Sequence, residues 1–215
     1  MGKRLGLLAG SVDYSNAAAD EFHDWLDTEH IPERTRQAGI LNAVRWLGVE
    51  NPKASLVIYD LESLDVLRTP EYLAVSFEKF SPWSKRMLNG NKTKRITRFA
   101  CEQIWPGDRM APADAGGLAV FAMNVAPEVE AEFNRWCDGE QIPAISAVTG
   151  VLCARRYTSR GGTDHKYVTL IHLESPAVCD TPEWKRVMEA PSARKMEEHM
   201  SQRLCMVMRA YVRST

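Results

Sequence analysis

The stretch Phe22-His23-Asp24-Trp25-Leu26-Asp27-Thr28-Glu29-His30-Ile31-Pro32 returns 111 residues later as Phe133-Asn134-Arg135-Trp136-Cys137-Asp138-Gly139-Glu140-Gln141-Ile142-Pro143. Six of the eleven positions are identical: Phe, Trp, Asp, Glu, Ile and Pro. Outward from it the correspondence continues. Residues 39–46, beginning Gly39-Ile40-Leu41, match residues 150–157, beginning Gly150-Val151-Leu152. Thr69-Pro70-Glu71-Tyr72 matches Thr181-Pro182-Glu183-Trp184, and Lys85-Arg86-Met87 is echoed by Arg194-Lys195-Met196. A spacing that drifts so little along a chain is the mark of two copies of one supersecondary unit.

Local patterns predict what that unit is. Residues 4–10 read as a strand. A helix should open near Ser15 or Asn16 as N-cap, with Ala18, Phe22, Trp25, Leu26 and Glu29 on one face. Pro32 should stop it near His30, because a residue before proline avoids the helical region, leaving residues 33–38 as a loop. Strands follow at 39–46 and 55–61, then a helix capped by Thr69 with Pro70 at its first position, then a strand at 95–104. The order strand–helix–strand–strand–helix–strand is the ferredoxin-like unit. The expected domains are 1–105, a linker 106–116, and 117–215. A four-stranded sheet with helices on one side leaves its other face bare. Two such sheets can bury those faces together. The expected fold class is therefore α+β, with two ferredoxin-like βαββαβ repeats forming an intramolecular barrel; two ferredoxin-like domains that do not face each other are the alternative.

The F-x-x-W-x-D-x-E-H-I-P run, the Gly-initiated strand and the T-P-E-[YW] helix start resemble the EthD-like branch of the dimeric α+β barrel superfamily, and the resemblance covers both halves. It implies a small enzyme acting on aromatic, lactone or polyketide-like compounds, often without metal or organic cofactor. It also implies that some relatives bind haem, and that the histidine matching His30 is a pocket residue.

The totals exclude several classes. The 215 residues carry 27 Lys+Arg against 28 Asp+Glu, so no field of one sign points to nucleic acid or to an anionic membrane. No window approaches the length of a membrane span, and the apolar run after Met1-Gly2-Lys3 breaks at Asp13, so a strand is expected there in place of a secretory segment. Five cysteines without a C-x-x-C suit a reducing cytoplasm better than a disulfide frame or a zinc site. Partners should be a small-molecule substrate and, through outer helices, possible pairing into a homodimer.

His30 leads the candidates for chemistry, since an imidazole both accepts and donates protons near neutrality. Its counterpart Gln141 cannot. The competing reading is a histidine capping a helix C-terminus. Glu29 and Arg45, repeated as Glu140 and Arg156, read as a structural carboxylate–guanidinium pair; the sharper reading has Glu29 tuning His30 and Arg45 holding a substrate oxygen. Asp27 and Asp138 read as caps for the loop that follows. His23, Asp27 and His30 fall on one helical face, but with Pro32 beyond them no metal is expected. Trp25, Tyr59, Trp83 and His172 are the candidate substrate-binding residues. For a haem, His30, His172 and His199 are the possible axial ligands. The expected chemistry is acid–base: isomerisation, cyclisation or lyase action on an aromatic or carbonyl compound in catabolism, with no cofactor. The alternatives are a non-catalytic small-molecule or haem carrier, and a haem-linked or cofactor-free oxygenase.

Overall fold

The computed structural model describes residues 4–161 and 163–213. Met1 to Lys3, part of the segment read above against secretion, lie outside the described residues. The first half runs β1 (Gly6–Asp13), α1 (Ala19–Trp25), α2 (Ile31–Thr35), β2 (Ile40–Gly48), β3 (Ala54–Leu61), α3 (Pro70–Leu73), α4 (Pro82–Leu88) and β4 (Lys94–Trp105). The second runs β5 (Gly117–Val125), α5 (Glu130–Trp136), α6 (Ile142–Ser146), β6 (Val151–Ser159), β7 (Tyr167–Leu173), α7 (Pro182–Met188), α8 (Pro191–Glu197) and β8 (Met200–Ala210).

All eight strands join antiparallel neighbours in one closed barrel, in the order β1-β3-β2-β8-β5-β7-β6-β4. The halves meet where β2 pairs with β8 and β4 with β6. Side chains alternate along each strand, and the two faces have separate fates. Leu7, Ala9, Trp46, Leu56, Ile58 and Phe99 of the first half pack inside the barrel against Leu118, Val120, Tyr157, Val168, Leu170 and Met208 of the second. The opposite pleat faces the helices: Leu8, Leu47, Val57, Tyr59 and Leu61 bury Phe22, Trp25, Leu26 and Tyr72. The shared interior expected from the repeat is present.

Gly39 and Gly150 each turn the chain into a strand with φ of +84° and +86°. A Cβ there would sit 2.5 and 2.6 Å from a methyl of Val66 and Val178, so both the backbone angle and the space require glycine. Thr69 and Thr181 cap as expected, their hydroxyls accepting from Tyr72 and Trp184 N–H.

Two local expectations are corrected. The first helix starts at Ala19 without a side-chain cap from Ser15 or Asn16. Pro32 does not stop it either. Leu26–His30 form a π-turn, and helix resumes at once as α2, with Ile31 itself helical at φ −71° and ψ −49°. A proline ring clashes with the carbonyl four residues back. The wider π-turn, in which Ile31 N–H reaches Leu26 O, relieves that crowding. The second half repeats the device at Cys137–Gln141.

At one end of the barrel interior lies a buried ionic cluster that joins the halves. Arg155 of β6 donates to Asp60 of β3 at 2.5 Å, and neither side chain is exposed. His172 Nε2 accepts from Arg155 Nη2 at 2.9 Å. The segment between β4 and β5 is stitched to the same cluster: Ala111 N–H donates to Asp60 and Arg155 reaches the carbonyl of Arg109.

Candidate functional site

The extra residue of the π-turn sets which side chains face which way. Arg45, on the helix-facing pleat of β2, pairs with Asp27 and not with Glu29. Its second nitrogen lies 2.8 Å from His23 Nδ1, and its guanidinium lies 3.7 Å from the ring centre of Tyr211. Arg156 likewise pairs with Asp138. The expected Glu29–Arg45 and Glu140–Arg156 pairs are thus corrected, and Asp27 and Asp138 are ion-pair partners, not loop caps. His23 and Asp27 are held at Arg45 while His30 turns elsewhere, so the three do not converge.

His30 lines a cavity of about 270 Å³ between the sheet and the helices of the first half. Leu8, Gly10 and Val12 of β1 and Ser55, Val57 and Tyr59 of β3 contribute to its floor; Phe22, Trp25, Arg34, Tyr72 and Phe80 contribute to its walls. Arg95, Arg98 and the exposed Phe77 also border it. A Cβ built on Gly10 meets nothing within 4 Å. At the matching place in β5 stands Phe121, stacked 6.4 Å from Trp184. The first cavity is open where the second half has filled its floor.

Behind His30 the hydrogen bonds form a relay. Ser84 Oγ accepts from Trp25 Nε1 at 3.0 Å and donates to Glu29 Oε1 at 3.3 Å. Ser81 also donates to Glu29, at 2.5 Å. Ser84 Oγ also lies 3.4 Å from His30 Nδ1. With its one proton on Glu29 it would accept there from Nδ1–H, which would leave the lone pair on Nε2. The imidazole is half-buried and lines the cavity. Burial first, and the Arg34 guanidinium second, pull its pKa well below the ordinary histidine value. His30 is therefore neutral at pH 7.

Arg34 is one of the residues that sequence reasoning missed. It is 4% exposed, donates to the His30 carbonyl at 3.0 Å and lies over the Phe80 ring at 5.5 Å. Placed in a loop it carried no signal; one helical turn beyond His30 it belongs to the cavity. Tyr59 and Ser55 hydroxyls are buried with no hydrogen-bond partner. Burial pushes the Tyr59 pKa up, so it stays a phenol.

Of the other expected residues, Trp25 and Tyr59 line the cavity with His30. Glu29 stands behind it, reached through Ser84 by two hydrogen bonds. Arg45 and Trp83 are not among the lining residues, and Trp83 packs at the edge of the helix-side core. His172 lies inside the barrel on Arg155, on the other side of the sheet wall. His199 sits in a turn past α8 and is not among the residues lining the cavity.

Two buried histidines give the chain a defined acid response. Burial, then Arg155, pulls the His172 pKa well below its usual value, as at His30. Both are neutral when folded and protonate near pH ~6.5 when unfolded. Below that pH the unfolded chain binds more protons, so stability falls as pH falls, until the folded pKa values are reached. Urea unfolding from pH 7 to 5 should show a loss approaching two protons, each worth up to about 1.4 kcal/mol per pH unit. A flat profile over that window would contradict the assignment.

No protein-family model matches the sequence, and no curated protein does. Solved structures do match. A haem-binding protein from Thermus thermophilus superposes with a TM-score of 0.60 at 11% identity, over 97% of this chain and 92% of that one. The chlorite dismutase of Candidatus Nitrospira defluvii, in a mutant form, gives 0.62 at 11% identity, over 97% and 92%. The fold is that of the dimeric α+β barrel proteins. An anthrone oxidase-like protein gives 0.60 at 13% identity, over 98% and 92%. These likenesses correct one expectation. Near-full-length neighbours in this barrel include a haem-binding protein, so the expected absence of a cofactor does not stand. Among the described residues, no helix is long and apolar enough to cross a membrane.

Proposed function

We propose that the first cavity of this dimeric α+β barrel would hold haem, with His30 Nε2 as the atom that would bind its iron, in a haem-binding or haem-linked oxygenase protein built from two ferredoxin-like units. The observation that carries the reading is the state of His30. A metal-binding histidine must be neutral, and it characteristically gives its other N–H to a partner that fixes the ring. His30 meets both demands, with Ser84 as that partner and Glu29 behind it. The bare floor at Gly10 accepts a flat ring, Leu8, Val12, Phe22 and Val57 supply apolar contact, and Arg95 and Arg98 supply cations for carboxylate side chains. Bound haem would supply redox and oxygen chemistry. Tyr59 would offer its unpartnered hydroxyl to a ligand oxygen.

The cavity volume favours a second reading. About 270 Å³ lies just below the ~300–1,000 Å³ of small-molecule pockets. It suits a compact aromatic or carbonyl compound, on which His30 Nε2 would accept a proton and Tyr59 would donate a hydrogen bond, for isomerase, cyclase or lyase chemistry.

Haemin titration separates the two. The haem reading expects a sharpened Soret band saturating at one haem per chain, and its loss in Gly10→Leu, whose side chain occupies the open floor while the strand gains order. A Soret band that never forms, or that is unchanged in Gly10→Leu, sinks that reading and leaves the second.

A further inference from the structure

The second half has a cavity of its own, about 300 Å³, between its sheet and its helices. Its residues occupy the places that build the first, with the chemistry replaced. Gln141 stands for His30, Ile145 for Arg34, Ile171 for Tyr59 and Phe121 for Gly10.

Two polar groups are left over. Trp136 matches Trp25, whose indole N–H is taken by Ser84. In α8 the matching residue is Ala193, as the shared prolines Pro82 and Pro191 fix the alignment. Trp136 Nε1 is consequently buried without a hydrogen-bond partner. Ala193 lines the second cavity, whereas Ser84 does not line the first, so the missing hydroxyl has become cavity space. The Gln141 amide has one weak contact, 3.7 Å from the sulfur of Met188. A buried donor without a partner is destabilising, and a ligand acceptor would recover part of that cost.

The rest of the lining is apolar and soft: Met123, Met188 and Met200 beside Phe121 and Ile171. Such surfaces adapt to ring compounds. Burial pushes the Cys137 thiol up to about 12, so it stays uncharged. Glu197 and Arg203 are spent on each other at 2.7 Å. Nothing there favours an ionised ligand.

We infer that the C-terminal cavity is a second, non-catalytic site for a neutral ring compound bearing a carbonyl, whose oxygen accepts from Trp136 Nε1–H and the Gln141 amide. The inference does not depend on what the first cavity holds. Methionine-methyl NMR reads the site alone, because no methionine lines the first cavity. Titrating 1-tetralone should shift the methyl signals of Met123, Met188 and Met200. It should bind about three- to tenfold more tightly than tetralin, the same rings without the carbonyl. Ala193→Ser restores a partner for the indole and should reduce that preference while tetralin binding holds; Gln141→Leu should reduce it again. Unmoved methionine signals, equal affinity for the two probes, or a preference untouched by Ala193→Ser would each overturn the inference.

Discussion

Replacing His30 by glutamine, so that the first cavity carries the amide of the second, should abolish the Soret band of the haem complex in a chain that still folds. The second half shows that the barrel accommodates glutamine at this place, where Gln141 is buried beside Met188. The expected loss exceeds the roughly 10–100-fold in metal affinity that outer-shell partners typically contribute. Ser84→Ala removes such a partner and should cost within that range, because the ring loses its Nδ1–H anchor and its fixed tautomer while Nε2 remains. The graded pair matters more than either member. If Ser84→Ala and His30→Gln were equally silent, the imidazole would not be the ligand. If Ser84→Ala alone abolished binding, the relay would be holding the helices together and not tuning the ring.

The largest stability effect is expected at the barrel interior. Asp60→Ala leaves Arg155 charged, wholly buried and without its carboxylate. Breaking a buried pair by removing one partner costs ~3–5 kcal/mol. The change also strips Ala111 N–H of its acceptor, so the segment after β4 should loosen with it. Replacing both members by apolar residues, Asp60→Leu with Arg155→Met, should recover most of the loss, since the desolvation of two charges then disappears. Urea midpoints compare the three chains directly. A single variant within about 1 kcal/mol of the parent would mean that solvent reaches the cluster.

Much of the architecture was legible because the period was. The 111-residue period in the sequence led to the expectation of two sheets hiding their faces together, and the structure has one closed barrel whose interior is packed from both halves. What was not legible turned on one residue per half. Pro32 read as a stop, since its ring ordinarily excludes helix before it. The π-turn absorbs the ring, and by adding a residue to the turn it exchanges the roles of Asp27 and Glu29 and carries Arg34 to the cavity. No composition or spacing rule marks a π-turn. Two further differences between the halves bear on the site. Gly10 against Phe121 marks the open floor, and Ser84 against Ala193 marks the relay. Both are differences between the two halves at matching positions, as is His30 against Gln141.

The protonation of His30 is the point from which the proposed function follows, and it can be read without any ligand. A long-range ¹H–¹⁵N spectrum of the imidazole rings at pH 7 distinguishes a protonated ring nitrogen from one bearing a lone pair. The expected spectrum shows His30 neutral, with Nδ1 protonated and Nε2 bare, and shows the Nδ1 signal moved by Ser84→Ala. A charged ring at pH 7, or a neutral one protonated at Nε2, would contradict it.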